Sequence, residues 1–322
     1  MPNPTSATTI QRPVLQQLYT EYVETAMTKM GGLQILPIFK TPKREPDIPV
    51  MPREAILKHP SDIKREARAN YSRGDYEFET MTLRTEEFGY EEPVDDVERA
   101  MYSDYFSADE WAMRRAADIL LRAQEARIFA AVMNVTTFAS YTADVDSNEW
   151  NDATSATPKA DIDTHANTIY GNCGMFPTHL AIPVTVFIAV MNCDEIRNYL
   201  QYTNPHLLQG REAQRQMLSN YLGVEVIILG APYDSAKEGQ AASLANIWGT
   251  EYGMLFVKQD SADLRSPGLG RTFLWTADSP ENLNVESYRE EQTRSDIIRV
   301  RHHCIERILK PEYGMLLANF TG

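Results

Sequence analysis

A chain of 322 residues is long enough for two domains of ordinary size. Asp and Glu outnumber Lys and Arg, 45 to 31, for a formal net charge of −14. That disfavours a protein that grips nucleic acid through a basic face, but not one that encloses it without gripping. The N-terminal stretch lacks a basic start followed by an apolar core, so it does not read as a secretory leader. No apolar run approaches the roughly 18 residues of a membrane-spanning helix. Three widely spaced cysteines, Cys173, Cys193 and Cys304, fit reduced thiols better than a disulfide framework.

Residues 1–62 read as an extended arm. Prolines recur through it, from Pro2 to Pro60, and each lacks a donor and disfavours helix just before it. One helical piece is expected over 14–30. Lys and Arg concentrate in the second half of the arm, and the apolar clusters at 33–36 and 56–57 predict that it docks on something. Residues 63–92 change character. The alternation in YEFETMTLRTEEFGY predicts a β-hairpin, polar on both faces and therefore laid on a neighbouring subunit. Acids are dense beyond it, at Glu86, Glu87, Glu91, Glu92, Asp95, Asp96 and Glu98. Without the spacing of a calcium loop, this run is expected to face solvent or another subunit.

Residues 107–134 form the longest predicted helix, a rod of about 40 Å without Pro or Gly. Ser107 and Glu110 mark its start as a capping box. The expected buried stripe is Ala112, Ala116, Ile119, Ala123, Ala126, Ala130 and Met133, with charge between, including Glu125 and Arg127. An irregular stretch around Trp150 (136–158) follows. A helix is predicted over 161–173, a buried strand over 179–183, helices over 184–193 and 211–221, and a strand over 223–230 buried on both faces. Two strands broken at Gly249 and Gly253 follow in 244–257. The alternation over 297–309 predicts a strand with Ile298, Val300, Cys304 and Ile308 on one face and Arg299, Arg301, His303 and Arg307 on the other. Pro311 and Gly314 turn the chain into a closing MLLANF.

The patterns G-x-x-x-x-G-K-[ST], G-x-G-x-x-G and G-x-S-x-G are absent. Gly268-Leu269-Gly270 before Arg271 reads as a turn between strands. His302, His303 and Cys304 form the densest ligand-type cluster. Alternation lets only His302 and Cys304 share a metal, and neither H-E-x-x-H nor C-x-x-C supplies the rest, so a structural role is expected. Cys173 and Cys193 read as inert core thiols. His165, His179 and His206 are isolated and take no role. No catalytic, cofactor-binding or metal residue is assigned.

The order of elements carries more than any motif. It runs arm, polar hairpin, acidic segment, long spine helix, helix–strand core and long terminal strand. With EEPVDDVERAMYSDYF before the spine, DIDTHANTIYGNCG followed by MFPTHLAIPVTVF, YLGVEVIILGAPYD, and ANIWGTEYGMLFV with SPGLGRTFLWT, the chain resembles the major capsid protein of tailed bacteriophages. The resemblance implies the α+β Hong Kong 97-type shell fold. Its parts would be an N-terminal arm (1–62), an extended loop (63–92), a peripheral domain (93–174), an axial domain (175–260) and return strands to the peripheral domain (261–322). It implies hexamers and pentamers in an icosahedral head enclosing double-stranded DNA, built in the host cytoplasm with a portal and possibly a decoration protein. The lack of lysine in 74–92 departs from the type member's cross-linking loop, so no Lys–Asn weld is expected. No scaffolding segment precedes the arm, which implies a separate scaffolding protein. Two other functions fit the sequence less well: an encapsulin-like shell around a protein cargo, and a cytosolic metal-dependent hydrolase using His302 and Cys304.

Overall fold

The structure, a computed structural model, describes residues 30–50, 57–59, 63–65, 67, 68, 70, 71, 73, 79–145, 149–203, 210–237, 239–259 and 266–320. The expected helix before Met30 and residues 74–78 of the expected hairpin lie outside the described residues. In chain order the described elements begin with α1 (Gly32–Ile35), β1 (Ile38–Thr41), β2 (Asp47–Val50), β3 (Glu79–Thr82) and β4 (Glu86–Asp95). Then come α2 (Asp96–Tyr102), α3 (Ala108–Val132), β5 (Thr142–Asp144), α4 (Pro158–Cys173), β6 (His179–Pro183), α5 (Val184–Asn192), α6 (Asp194–Thr203) and α7 (Arg211–Leu222). The rest are β7 (Glu225–Leu229), β8 (Pro232–Asp234), β9 (Leu244–Asn246), β10 (Gly253–Phe256), β11 (Gly270–Trp275), β12 (Asn284–Glu290), β13 (Ser295–Ile308) and β14 (Gly314–Ala318).

Two mixed five-stranded sheets organise these elements into an α+β fold. β13 is the hub of the first. It pairs antiparallel with β4 from Ser295 to Cys304, with β12 from Ser295 to Arg301 and with β11 from Cys304 to Ile308, while β1 adds parallel to β11. The alternation read from residues 297–309 is its cause: Ile298, Val300 and Cys304 point to the core. The second sheet runs β5-β14-β10-β6-β7, with β5–β14 and β6–β7 parallel. His179–Pro183 is buried at every residue, as its continuous apolar content requires. α4, α5 and α7 pack on this sheet through Ile162, Ile169, Val186, Phe187, Val190, Leu218 and Leu222. α4 ends at Gly174, whose φ of +75° is the left-handed cap that glycine adopts at no steric cost.

α3 serves both sheets. Ala112, Met113, Ala116, Ala117, Leu120 and Leu121 pack on Val94, Val285, Ile298 and Val300 of the first. Ile128 and Val132 join Ile35, Leu36, Ala181, Ile227, Leu229 and Trp248 against the second. Its start is capped by the Ser107 hydroxyl, which accepts from the Glu110 N–H.

Several expectations are corrected. The stripe holds at Ala112, Ala116 and Met133, but Ala123, Ala126 and Ala130 are exposed. The buried row runs instead through Gln124 and Glu125, the second of which the pattern placed with the charges outside the stripe. The hairpin does not form within 63–92 among the described residues. β3 pairs with β2 of the arm, Asp47 opposite Thr82, and β4 pairs with β13. A strand polar on both faces does not name its partner, and here Ile48 and Leu83 anchor the β2–β3 ribbon on Phe273. Nor is the arm wholly extended over other copies: Ile35 and Leu36 are buried in the chain's own core, and β1 completes the first sheet. The irregular stretch contains β5. Finally, α4 belongs with the second sheet, and so does β14, the closing MLLANF, which was expected to return with the terminal strand.

Candidate functional site

The His302–Cys304 face meets the arginine of the spine helix. Arg127 lies 3.7 Å over the Phe88 ring and donates to both Glu306 carboxylate oxygens at 3.1 Å. The same guanidinium reaches His302 Nε2 at 3.0 Å and Cys304 Sγ at 3.7 Å. Arginine only donates, so Nε2 accepts and Nδ1–H donates to the Asn282 carbonyl at 3.2 Å. Burial and the nearby cation hold the His302 imidazole down at about 3, and burial with Glu306 raises the Cys304 thiol. The Arg127 guanidinium thus lies between His302 Nε2 and Cys304 Sγ, where a metal shared by the two would sit, and the buried thiol is held toward its protonated form. His303 faces the other way, toward the Thr85 carbonyl at 3.0 Å and Asp278 at 3.3 Å. No three His, Cys, Asp or Glu among the described residues converge as a metal site.

The remaining candidates fare similarly. Cys173 and Cys193 are buried free thiols. His179 hydrogen-bonds Thr178 at 2.8 Å and Glu225 at 3.1 Å; burial lowers the His165 imidazole, and His206 lies outside the described residues. Gly270 is not a phosphate cradle: a Cβ there would sit 2.4 Å from the Arg307 carbonyl, so glycine admits the close approach of β11 to β13. No helix among the described residues is long and apolar enough to cross a membrane.

The acidic run pairs within its own chain. On β4 and the strands beside it, Glu91 meets Arg299 at 2.6 Å, Glu87 meets Arg301 at 3.7 Å, and Glu92 meets Arg115. Asp96 takes Arg289 at 2.6 Å, which holds its carboxyl below the usual range, while Arg99 bridges Asp109 and Asp296 at 2.7 and 2.8 Å. Glu86, Glu87, Glu91 and Glu98 are exposed, as expected, and Glu92 is buried, but Glu87, Glu91, Glu92 and Asp96 also find arginine partners within the chain, which the sequence did not name. Arginines on β12, β13, α2 and α3, distant in sequence, neutralise them.

One buried group escaped the sequence reading altogether. Glu125 is 2% exposed and accepts from the Gly32 N–H at 3.0 Å and from Trp248 Nε1–H at 2.6 Å. It ties α1, the spine and the loop after β9 at one point. Burial raises its carboxyl, against the pull of these donors. The available signal was an acid one helical turn from Leu121 and from Ile128 and Phe129, on an apolar row.

What the described surface offers is apolar area. Every described residue between 57 and 73 is exposed, Leu57, Ile63 and Tyr71 included. Leu57 lies near the end of α4, its Cδ2 3.9 Å from where a Cβ on Gly174 would sit. Tyr170 and Phe176 stack at 4.5 Å on the outside of α4, where Phe176 also lines a groove of about 470 Å³ with Ile162, Ala166, Leu222 and Val224. A third patch covers α2 and the start of α3, where Val97, Met101, Tyr102, Tyr105, Phe106 and Trp111 are all exposed. Exposed apolar patches of this kind mark binding surfaces.

No family model matches the sequence, and no curated protein matches it. Solved structures do. A phage-related protein from Bordetella bronchiseptica RB50 is 18% identical, with a TM-score of 0.70 over 97% of this chain and 98% of that one. A putative prophage capsid protein from E. coli CFT073 is 9% identical, with a TM-score of 0.55 over 96% and 99%. The SrpI encapsulin of Synechococcus elongatus PCC 7942 is 12% identical, with a TM-score of 0.52 over 90% and 88%. From its first described sheet strand to its last, the chain has the fold that phage capsid proteins share with encapsulins.

Proposed function

We propose that this chain is the major capsid protein of a tailed double-stranded DNA bacteriophage, a non-enzymatic subunit that closes into hexamers and pentamers of an icosahedral head. The observation that carries this reading is that every described residue between 57 and 73, in the connection from β2 to β3 of a capsid-type fold, is exposed. Leu57, Ile63 and Tyr71 are 49%, 74% and 71% exposed within the single chain, and in this reading a neighbouring subunit covers them. In this reading the first sheet with α3 is the peripheral domain. The second sheet, with α4–α7, is the axial domain, and residues 47–82 are the extended loop. Assembly rests on apolar burial and shape matching summed over many contacts, which together outweigh the entropy of ordering the loop. The net charge of −14 keeps enclosed DNA mobile rather than bound. A separate scaffolding protein and a portal are the implied partners, with the virion as destination. No lysine lies in residues 74–92, so no isopeptide weld forms through that stretch.

The test is to replace residues 53–76 with a short Gly-Ser turn. The body, whose core excludes this segment, stays folded, and electron microscopy shows no closed particles where the full chain gives them. Shells formed by the shortened chain would overturn the reading. The encapsulin-like alternative is kept by its TM-score of 0.52, close to the 0.55 of the prophage protein. Particles purified with an enclosed enzyme, and without DNA or a portal, would favour it.

A further inference from the structure

Two exposed surfaces of this chain match each other and lie apart. The first is the patch on α2 and the start of α3. α2 buries none of its residues. Val97 and Met101, one turn apart, are each 61% exposed, Tyr105 is 83% exposed, and Tyr102 stacks on Phe106 with ring centres 5.2 Å apart. Trp111, also exposed, continues this surface onto α3. Large apolar side chains this dense exceed the scattered ones that a soluble surface tolerates. Two exposed acids stand among them, Glu98 and Asp104, and neither has an ion-pair partner among the described residues.

The second surface, between residues 57 and 73, has the opposite charge. Leu57, Ile63 and Tyr71 are exposed, and so are Lys58, Arg68 and Arg73 around them. Over these residues the sequence sets Lys58, Lys64, Arg65, Arg68 and Arg73 against Asp62 and Glu66, an excess of base in a chain of net charge −14. Apolar side chains among bases fit apolar side chains among acids in both respects.

Among the described residues the two surfaces do not meet within one chain. Leu57 lies at the end of α4, which packs on the second sheet. α2 is tied to the start of α3, beside the first sheet, by Arg99 and Asp109 at 2.7 Å. The 25 residues of α3, about 37 Å of helix, run from that start to the turn of Ile128 and Val132 against the second sheet. The groove beside Phe176 is a poorer receiver for these bases, because its acid, Asp163, already holds Lys159 at 2.6 Å.

We propose that the segment 57–73 of one copy docks on the surface made by Val97, Met101, Tyr102, Tyr105, Phe106 and Trp111 of a second copy, with Lys58, Arg68 and Arg73 toward Glu98 and Asp104. This inference rests on the reading of the chain as a shell subunit and adds the surface that receives the loop. Each copy carries one loop and one patch, so the contact runs head to tail. Such a contact closes into a ring, the form that a hexamer or pentamer takes.

Cross-linking in assembled particles tests it. Full-length Ile63→Cys and Met101→Cys chains are assembled together and treated with a short bismaleimide, while the native Cys173, Cys193 and Cys304 are buried. A link between positions 63 and 101 then joins two copies by construction. It forms at least about tenfold more than a link between positions 63 and 176 in particles made with Phe176→Cys, because docking raises the local concentration of the pair. Charge carries the comparison should a cysteine variant not assemble. Glu98→Lys with Asp104→Lys lowers the particle yield at least about tenfold, and adding Arg68→Glu with Arg73→Glu restores it. Well-formed particles that link 63 to 176 and not to 101 would overturn the proposal and leave the shell reading standing. So would a link between 63 and 101 inside a dissociated chain that carries both cysteines. An unaltered chain that gives no particles would end the shell reading, and the proposal with it.

Discussion

Two buried polar clusters sit a few residues apart on the same helix, and they differ in what they join. Arg127 lies over the first sheet, where a cation meets Glu306, His302 and Cys304 of β13. Glu125 lies toward the second, where a carboxyl meets the Gly32 N–H and the Trp248 indole without any cation among its hydrogen-bond partners. From the sequence the first cluster offered metal chemistry and the second offered nothing. In the fold both tie the spine to what it crosses, Arg127 to β13 and Glu125 to α1 and the loop after β9. A buried polar side chain on a helix that spans two sheets serves first as a register pin.

The sharpest way to break the first pin is Arg127→Ala. It leaves the Glu306 carboxylate buried without its cation and strips the contact over Phe88. The expected loss is about 3–5 kcal/mol, the cost of orphaning a buried charge. Urea denaturation measures it. Adding Glu306→Gln recovers part of the loss, because the orphaned charge is then gone. A loss under about 1 kcal/mol would mean that the cluster is hydrated and not a pin at all.

Breaking the second pin is milder, and pH separates it from the first. Glu125→Ala leaves the Gly32 N–H and the Trp248 indole N–H unsatisfied, at about 1–3 kcal/mol for each buried donor. Glu125→Gln keeps one acceptor oxygen and costs less. The carboxyl is raised in the folded state from an ordinary 4.5. The folded chain therefore binds the proton more tightly, so this group's contribution is full below about 4.5 and is lost as pH rises through the folded value. His302 has the opposite sign: it falls from 6.5 to about 3 on folding, so its contribution is full above about 6.5 and is lost as pH falls toward 3. Between pH 4.5 and 6.5 the two slopes oppose each other. Denaturation midpoints measured across that window should fall more steeply with acid in Glu125→Gln than in the parent, and less steeply in His302→Gln. Parallel curves for all three proteins would refute the assignment of those slopes.

Much of the fold was legible because apolar periodicity names a face. The alternation of β13, the continuous apolar run of β6 and the Gly174 stop after α4 each follow from local sequence. Pairing was not legible where polarity dominated. β4 looked like an acidic linker because its partners, Arg299 and Arg301, lie some two hundred residues away, and nothing local distinguishes a neutralised acid from a solvated one. The same blindness moved the expected stripe of α3 by one row. The rule that polar residues face water steered the row past Gln124 and Glu125 onto Ala123 and Ala126. In fact Gln124 is buried against Asn282, 3.2–3.5 Å away, and the alanines face outward.

The smallest expected effect tests that displaced row directly. On the sequence reading, Ala126→Lys puts a charge into the core and should cost several kcal/mol. On the structure Ala126 is exposed, lysine is nearly as good a helix former as alanine, and the change stays within about 0.5 kcal/mol. Its counterpart Ile128→Ala, two residues on and fully buried between α1 and the second sheet, costs about 2–5 kcal/mol. The pair is informative because both sites lie in one turn and share one propensity, so only the face differs. A destabilised Ala126→Lys protein would have a narrower meaning if the cost appeared only in assembled particles and not in the dissociated subunit. The outer row of the spine would then be a contact between subunits, exposed in one chain and covered in the shell.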